Sequence, residues 1–243
     1  LKHRERRRHV LPDMAVVKKN PEAYACRKSW LPEDKNAAIL DIGCGWGEFL
    51  LSIWAAGYTN LSGVDISQSQ CEVARKHLPE DVKIWCADAF SFLEDRLEQF
   101  DLILAFDVIE HFTAEEALEF VRAIASALKP VGAAVIRTLN CGSLLSPFTR
   151  YIDFTHREGY TEFSLLQLLD IAGFVNHSLI DCTLNTTWRF WRFKGGFQLR
   201  RRLNYALHLL LYKLAGVAPP SCLDRLIEVQ TFKSKGSEGE TKT

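Results

Sequence analysis

One short segment constrains the fold more than any other, because an apolar run leads directly into three alternating glycines. Residues 39–49 read Ile-Leu-Asp-Ile-Gly-Cys-Gly-Trp-Gly-Glu-Phe, with the glycines at Gly43, Gly45 and Gly47. Glycine lets the backbone turn sharply and approach a ligand closely. A helix that begins there directs its free N–H groups at the ligand. The segment therefore predicts a buried strand, a tight turn and a helix around a binding site.

Short apolar runs alternate with helical patterns through the first half of the chain. The pattern predicts strands at 37–42, 61–64, 82–86, 100–106 and 132–139, and helices at 48–56, 67–78, 89–97 and 113–128. This alternation with short turns favours an α/β fold with a doubly wound parallel sheet. The apolar runs are too continuous for a half-exposed antiparallel sheet.

The remaining segments divide the chain into four parts. A basic arm and a leading helix over 21–30 occupy residues 1–34, and the α/β domain is predicted at 35–183. Within that domain residues 140–160 have a loop-like composition, a helix is expected at 163–172, and a sixth strand at 174–183. A helical insert is expected at 184–223, followed by a last strand at 226–232 and a polar tail within 224–243.

The composition is that of an ordinary globular protein, and the cysteine content indicates the cellular compartment. Hydrophobic residues make up 47% and charged residues 25%, and the formal net charge is zero, so nucleic acid is not an expected partner. The seven cysteines are odd in number and form no CxxC pair, which favours a reduced cytoplasmic protein without a zinc site. Neither a signal peptide nor a membrane-spanning run is evident, although the sequence begins at Leu1 rather than at a methionine.

Acidic residues follow the next three predicted strands. Asp65 ends the second strand, Asp88 follows the third and Asp107 follows the fourth. Open α/β sheets bind ligands at the carboxyl ends of their strands, and a carboxylate after the second strand accepts hydrogen bonds from ribose hydroxyls. Asp88 is placed to meet an adenine amino group. Together these positions predict a nucleotide-like ligand along one edge of the sheet.

In combination these motifs resemble those of class I S-adenosylmethionine-dependent methyltransferases. The resemblance covers about residues 35–183 and includes the glycine turn, Ala-Asp-Ala at 87–89, the segment 100–112 and Lys-Pro-Val-Gly at 129–132. It implies a Rossmann-like seven-stranded sheet whose strands six and seven form an antiparallel edge pair with the helical insert between them. It also implies S-adenosylmethionine as cofactor, with the methionine part, ribose and adenine bound by Asp41, Gly43, Gly45, Gly47, Asp65, Ile66, Asp88, Ala89 and Asp107.

An NAD-binding Rossmann domain is the competing interpretation. Its fingerprint is GxGxxG, but Glu48 stands where the third glycine is required. A carboxylate there repels a pyrophosphate, whereas a cofactor with a sulfonium and an amine meets no such repulsion. The methyltransferase interpretation is therefore preferred.

Methyl transfer to a hydroxyl requires a group that removes its proton. His111 follows the fourth strand and is either that base or a structural cap of the next helix. Asp153 and His156 lie three residues apart in a polar segment, where they can act as orienter and base or only fix the loop. Substrate contacts are expected from the same segment, at Arg150, Tyr151 and Tyr160. Asp107 and Glu110 lie one turn apart, but no metal site is expected.

The segment Asp-Phe-Thr-His at 153–156, followed by a helix that ends Ala-Gly-Phe, narrows the resemblance. It is similar to methyltransferases of bacterial surface-polysaccharide and lipopolysaccharide biosynthesis. This similarity implies a sugar or lipid-linked glycan as acceptor, with His156 as the base. A small-molecule methyltransferase of secondary metabolism and a non-catalytic cofactor-binding scaffold remain the alternatives.

The insert combines basic, aromatic and amphipathic character. Residues 182–223 contain no Asp or Glu, and six apolar residues fall on one helical face: Leu199, Leu203, Ala206, Leu207, Leu210 and Leu214. Such a helix suits peripheral contact with an anionic surface at the inner face of the membrane. A lid or an oligomer contact is the main alternative, and single-stranded nucleic acid is the least favoured. The oligomeric state is left open.

Overall fold

Helices and strands alternate along the chain in the order that the sequence predicts. The computed structural model describes residues 13–21, 25–26, 28–143, 146–180, 206–216 and 226–234. Its elements are α1 Met14–Lys19, β1 Ile39–Ile42, α2 Glu48–Ala55, β2 Leu61–Asp65, α3 Gln68–His77, β3 Lys83–Cys86, α4 Ala89–Glu94, β4 Phe100–Phe106, a 3-10 helix Ile109–His111, α5 Ala114–Ala127, β5 Leu128–Leu139, α6 Ser146–Tyr151, α7 Glu162–Ile171, β6 Phe174–Ile180, α8 at residues 206–214 and β7 Leu226–Lys233.

The described strands form one seven-stranded sheet in the order β3-β2-β1-β4-β5-β7-β6. Strands β1 to β5 are parallel, and β7 runs antiparallel to both β5 and β6. The prediction of a doubly wound sheet with an antiparallel β6–β7 pair is confirmed. Because the strand order reverses between β1 and β4, ligands are expected at the carboxyl ends of these two strands.

Alternate residues of the central strands enter two separate cores. Leu102 and Leu104 of β4 pack with α2 and α3, whereas Ile103 and Ala105 pack with α4, α5 and α7. All four residues of β1 are buried, which explains why its sequence shows no polar alternation. The sheet is thus covered on both faces, and its strand ends are held rigidly.

The leading helix is displaced from its predicted position. Residues 25, 26 and 28 have no regular structure, while α1 begins earlier because the Asp13 side chain accepts a hydrogen bond from the amide of Ala15 at 2.9 Å. Asn20 is the C-terminal cap of α1, and Pro21 is in a 3-10 conformation. The prediction of a helix over 21–30 is wrong for residues 25, 26 and 28–30, while residues 22–24 and 27 lie outside the described residues.

Two further boundaries differ from expectation. Strand β5 begins at Leu128 and includes Lys129 and Pro130, which were expected to form a turn. The pairing with β4 shifts register there and Val131 adopts a φ of 60°, so the strand bulges instead of breaking. The segment 140–160, which was expected to be a loop, contains the short helix α6. The sequence did not predict this helix, because its polar composition shows no helical periodicity.

The described part of the insert is helical, but its leucines do not face the core. Helix α8 packs through His208, which is 1% exposed, and through the Tyr212 hydroxyl, which donates to the carbonyl of Gly142 at 2.8 Å. Ala206, Leu207, Leu210 and Leu214 are exposed, while Leu199 and Leu203 lie outside the described residues. Within the described ranges, no helix is both long and apolar enough to cross a membrane. The four-part division of the chain stays a prediction.

Candidate active site

A cavity of about 330 Å³ opens at the carboxyl ends of β1, β2, β3 and β4. The topology alone places it there, since parallel strands end at one edge of the sheet. Eight of the residues predicted from sequence line it: Gly43, Asp65, Ile66, Asp88, Ala89, Asp107, His111 and Asp153. Asp41, Gly45, Gly47, Arg150, Tyr151, His156 and Tyr160 are not part of this lining.

The glycine turn forms one wall of the cavity. Gly43, Gly45 and Gly47 have φ values of 71°, 55° and 84°, a region that residues with side chains rarely adopt. A Cβ atom on Gly43 would lie 2.6 Å from Cγ2 of Val108, so glycine is required for space as well as for conformation. The turn therefore presents bare backbone to whatever occupies the cavity.

Asp65 fastens this turn to the end of β2. One carboxylate oxygen accepts a hydrogen bond from the amide of Gly45 at 2.8 Å, and the other accepts one from Ser67 at 2.8 Å. The residue is buried yet lines the cavity. Each oxygen retains a lone pair, so the carboxylate is oriented in advance to accept two further hydrogen bonds from a ligand.

Asp88 combines a structural contact with a position on the cavity wall. Its Oδ1 accepts from the amides of Phe90 and Ser91 at 2.9 and 3.3 Å and so caps α4. Its other oxygen is available to a ligand. Ile66, by contrast, is 71% exposed and offers an apolar surface at the cavity mouth.

Asp41 lies beneath the glycine turn rather than in the cavity wall. It is 3% exposed, and burial raises the pKa of its carboxyl to about 7. The negative charge of Asp65 adds to this rise, and Arg137 opposes it. Asp41, which was expected to contact the methionine part of a cofactor, therefore lies outside the cavity wall.

Asp107 follows β4 in a strained conformation, with a φ of 57°. Its carboxylate accepts two hydrogen bonds from the Arg137 guanidinium, from Nε at 3.2 Å and from Nη2 at 2.6 Å. The register of β4 with β5 places Arg137 beside Phe106, the preceding residue. Nothing in the local sequence indicated this pairing, which neutralises one of the predicted cofactor contacts.

Glu110, His111 and His156 form a cluster next to Asp107. Their potential ligand atoms all lie within 4.8 Å of one another. Glu110 is fully buried, and burial first, then the negative charge of Asp107, raises its pKa to about 7. The two imidazole rings are 5.0 Å apart between centroids. His156 is thus close to the cavity although it is not part of its wall.

The loop that follows α6 is held by hydrogen bonds to its neighbours. The Arg150 guanidinium donates to the carbonyls of His156, at 2.6 Å, and Arg157. The amides of Arg157 and Glu158 donate to the carbonyl of Glu110 at 2.7 and 3.1 Å. These contacts fix His156 against the end of β4.

The expected pairing of Asp153 with His156 is corrected by this geometry. Asp153 Oδ1 accepts from the amide and the hydroxyl of Thr155, at 2.9 and 2.8 Å, and these bonds lower the pKa of its carboxyl. The Thr155 hydroxyl in turn lies 3.0 Å from Nδ1 of His111. Asp153 therefore orients His111 through Thr155, whereas Nδ1 of His156 contacts the carbonyl of Arg150 at 3.2 Å.

The two predicted tyrosines differ in environment. Tyr151 is 78% exposed, and Tyr160 is buried, with a phenol pKa that burial raises. The Tyr160 hydroxyl has no hydrogen-bond partner among the described residues, and its backbone carbonyl accepts from Cys141 at 2.7 Å. The substrate contacts expected of these two tyrosines stay a prediction.

Several wall residues were not predicted from sequence. They are Ile42, Val64, Ser67, Ser69, Gln70, Ala87, Val108, Phe112 and Thr155. Ser67 and Gln70 lie within five residues of Asp65, so their position after the second strand was the available signal. Thr155 had none, because its place depends on the fold of the loop.

The sequence of the central segment matches a known family. Residues 39–132 match the model of the methyltransferase domain. A ubiquinone biosynthesis O-methyltransferase of Bartonella tribocorum is 38% identical over 117 residues, which cover 46% of this chain and 44% of that protein. The chain spans about half the length of the curated relatives it matches.

Solved structures share the fold over a longer stretch. A SAM-dependent methyltransferase from Archaeoglobus fulgidus matches with a TM-score of 0.60 and 21% identity, over 90% of this chain and 92% of that chain. The 1,6-didemethyltoxoflavin-N1-methyltransferase of Burkholderia thailandensis, solved with S-adenosylhomocysteine, matches with a TM-score of 0.52 and 16% identity, over 82% and 72% of the two chains. At these identities the likeness establishes the fold.

Proposed function

We propose that the chain transfers a methyl group from S-adenosylmethionine to a hydroxyl oxygen, and the match of residues 39–132 to the methyltransferase domain supports this. The observation that carries the proposal is the single cavity that brings Gly43, Asp65 and Asp88 together at the carboxyl edge of the sheet. The three residues come from three different strand ends, and each has the chemistry that its position requires for a nucleoside with an amino-acid tail.

The charge of the cavity fits this cofactor better than a dinucleotide. Its wall carries four carboxylates, Asp65, Asp88, Asp107 and Asp153, and no Lys or Arg among its described residues. Carboxylates attract the sulfonium and ammonium groups of S-adenosylmethionine and repel a pyrophosphate. The bare backbone at Gly43 leaves room for the close approach that the methionine part needs.

Each proposed contact follows from a free hydrogen-bonding position. Asp65, oriented by the amides of Gly45 and Ser67, accepts from the ribose hydroxyls. Asp88 accepts from the adenine amino group with the oxygen that does not cap α4. When bound, S-adenosylmethionine supplies a methyl group on a sulfonium sulfur, which an acceptor oxygen displaces in line.

The acceptor side lies beyond Asp107, where the two imidazoles meet. A hydroxyl must lose its proton as its oxygen attacks, and His111 and His156 are the groups next to that position. Asp153 and Thr155 orient the His111 ring. An oxygen acceptor agrees with the relatives, which are named as O-methyltransferases.

A sugar hydroxyl, free or on a lipid-linked glycan, is the acceptor that we propose. The support is the Asp-Phe-Thr-His segment at 153–156, which lies at the cavity mouth and resembles glycan-modifying methyltransferases. An aromatic hydroxyl is the second candidate, because the relatives are named for ubiquinone biosynthesis. Exposed apolar side chains near the mouth, Ile152 and Phe154, also favour it.

Peripheral membrane contact belongs to the same proposal. The exposed leucines of α8 are Leu207, Leu210, Leu211 and Leu214, and the sequence from 182 to 223 lacks acidic residues. An apolar helix face within a basic segment suits an anionic lipid surface. A lipid-linked acceptor would bring the cavity to that surface.

The decisive experiment follows labelled methyl groups into extracts of the source cells. The purified chain is incubated with S-adenosylmethionine labelled in its methyl group, and the extract is separated into organic and aqueous phases. Acid hydrolysis that releases a labelled O-methyl monosaccharide supports the sugar acceptor. Label that remains in an aromatic ether supports the second candidate, and label in the organic phase supports a lipid-linked acceptor.

Two variants make the result specific. Asp65→Ala should lose both cofactor binding and transfer, whereas His177→Gln, on β6 and paired with Asp170 at 2.9 Å, should lose neither. If the wild type binds S-adenosylmethionine but labels neither phase, the scaffold alternative replaces the proposal.

A further inference from the structure

We propose that the segment before β1 positions one wall of the cofactor cavity through a row of alternating charges. The row, here called the charge row, consists of Lys28, Glu228, Arg137 and Asp107. Lys28, together with Trp30, is a positioning residue, since it acts on the cavity through the other members of the row. Apart from Asp107, all of these residues lie outside the segment that matches the methyltransferase domain. The inference rests on the cofactor part of the proposed function and not on the acceptor.

The outer end of the charge row ties two distant parts of the chain together. Glu228 of β7 is 3% exposed. One of its carboxylate oxygens, Oε1, accepts from Nζ of Lys28 at 3.4 Å and from Nε1 of Trp30 at 3.1 Å. A buried carboxylate destabilises a protein unless it is paired and hydrogen-bonded. The segment before β1 therefore supplies a cation and a donor to a carboxylate 200 residues away.

The inner end of the charge row reaches the cavity. Arg137 of β5 lies directly opposite Glu228 in the antiparallel pair of β5 and β7. Residues at such positions project from the same face of a sheet, with Cβ atoms about 5 Å apart. The Arg137 guanidinium donates twice to Asp107, at 3.2 and 2.6 Å, and Asp107 lines the cavity. Arg137 thus links a buried carboxylate to a carboxylate of the cavity wall.

Aromatic packing joins the same parts of the molecule. The Trp30 ring stacks on Phe49 with centroids 5.9 Å apart and meets the edge of Phe106 at 6.3 Å. Phe49 belongs to the first turn of α2, and Phe106 is the last residue of β4. The Arg137 guanidinium lies over the Phe106 ring, 4.5 Å from its centroid. The indole of Trp30 therefore packs against the helix that follows the glycine turn and against the strand that precedes Asp107.

Lys28 keeps the Arg137 guanidinium with Asp107. While Lys28 pairs with Glu228, the charge row holds two cations and two carboxylates in alternation. Without Lys28, Glu228 would compete for the guanidinium that lies opposite it, because a buried carboxylate requires a cation. Asp107 would then lose two hydrogen bonds that hold its carboxylate on a strained backbone. Since a wall fixed in advance binds a ligand with a smaller loss of conformational freedom, affinity for the cofactor should fall.

The test is calorimetry of the full chain with S-adenosylhomocysteine. Lys28→Met should weaken binding by about tenfold, a size usual for residues that act on a site through others. Lys28→Arg should restore it, because the charge returns, and Trp30→Phe should weaken it by a smaller factor. Lys233→Met is the matched control, since Lys233 is also on β7 and pairs with Glu98 at 3.0 Å, and it should bind as the wild type does.

A double-mutant cycle separates positioning from a general loss of stability. In an Asp107→Asn chain, Lys28→Met should change the affinity by less than about twofold, because the group on which Lys28 acts is already altered. A further loss of about tenfold in that background would mean that the two residues act independently, and it would overturn the inference.

NMR of the ligand-free chain tests the charge row without the cofactor. The Nε–H resonance of Arg137, identified by its loss in Arg137→Lys, should move in Lys28→Met and stay in place in Lys233→Met. An unmoved resonance, or equal affinity of the wild type and Lys28→Met, overturns the inference and leaves the proposed function intact. A resonance that moves in a chain that binds no S-adenosylhomocysteine supports the charge row and overturns the proposed function.

Discussion

Replacing Asp41 by asparagine should make the ligand-free protein more stable above neutral pH. Burial raises the pKa of this carboxyl from 3.8 to about 7, so the folded state keeps its proton where the unfolded chain has lost it. The stability that the protonated carboxyl contributes is complete below about pH 4 and is lost as the pH rises through about 7. Asparagine stays neutral and avoids that loss.

The magnitude follows from the same rise. At about 1.36 kcal/mol per pH unit, a pKa that rises from 3.8 to about 7 corresponds to roughly 4 kcal/mol once both states are ionised. Between about pH 5 and about pH 8 the advantage of Asp41→Asn over the wild type should grow by about 2.5 kcal/mol. Urea unfolding followed by tryptophan fluorescence measures it at the two pH values.

The exposed carboxylate of Asp81 supplies the control. Asp81→Asn corrects for the loss of one negative charge from the chain. An advantage of Asp41→Asn that is the same at both pH values, or smaller at the higher one, would refute the reasoning. The affinity for S-adenosylhomocysteine should fall in Asp41→Asn, because the negative charge beneath the glycine turn is lost.

Three further substitutions probe the turn and the core. Gly43→Ala should weaken S-adenosylhomocysteine binding in calorimetry, because its Cβ would lie 2.6 Å from Cγ2 of Val108 and φ is 71°. Gly63→Ala should lower the free energy of unfolding by about 1–3 kcal/mol in urea titrations, since overpacking of a dense core has that cost. Lys28→Met should lower it by about 3 kcal/mol in the same titration, because Glu228, only 3% exposed, would lose its cationic partner.

The cavity wall at the ends of β1, β2 and β3 could be predicted because its residues are local to strand ends. Gly43 follows β1, Asp65 ends β2 and Asp88 follows β3, and parallel topology brings strand ends to one edge. Knowing the alternation of elements was therefore enough to place these residues. The start of α1 could not be predicted in the same way, because it depends on a single cap, Asp13.

The geometry around Asp107, His111 and Asp153 could not be predicted, since it depends on contacts between distant segments. Asp107 is neutralised by Arg137 through the register of two strands, which the sequence does not specify. Asp153 reaches His111 through a threonine hydroxyl, although spacing suggested a partner three residues away. Short motifs fix the positions of residues along the chain but not their hydrogen-bond partners.

Two buried carboxylates, Asp41 and Glu110, link the stability of the folded protein to the binding of cationic ligands. Asp41 and Glu110 both have pKa values raised to about 7, and both lie at the carboxyl edge of the sheet. A core selected only for stability would place neutral residues there, because a buried unpaired charge destabilises the folded state. Cationic ligands offset that cost when they bind, and a ligand that binds only the folded state raises its stability. A cationic group bound near Asp41 or Glu110 would therefore lower the pKa of that carboxyl and stabilise the folded protein.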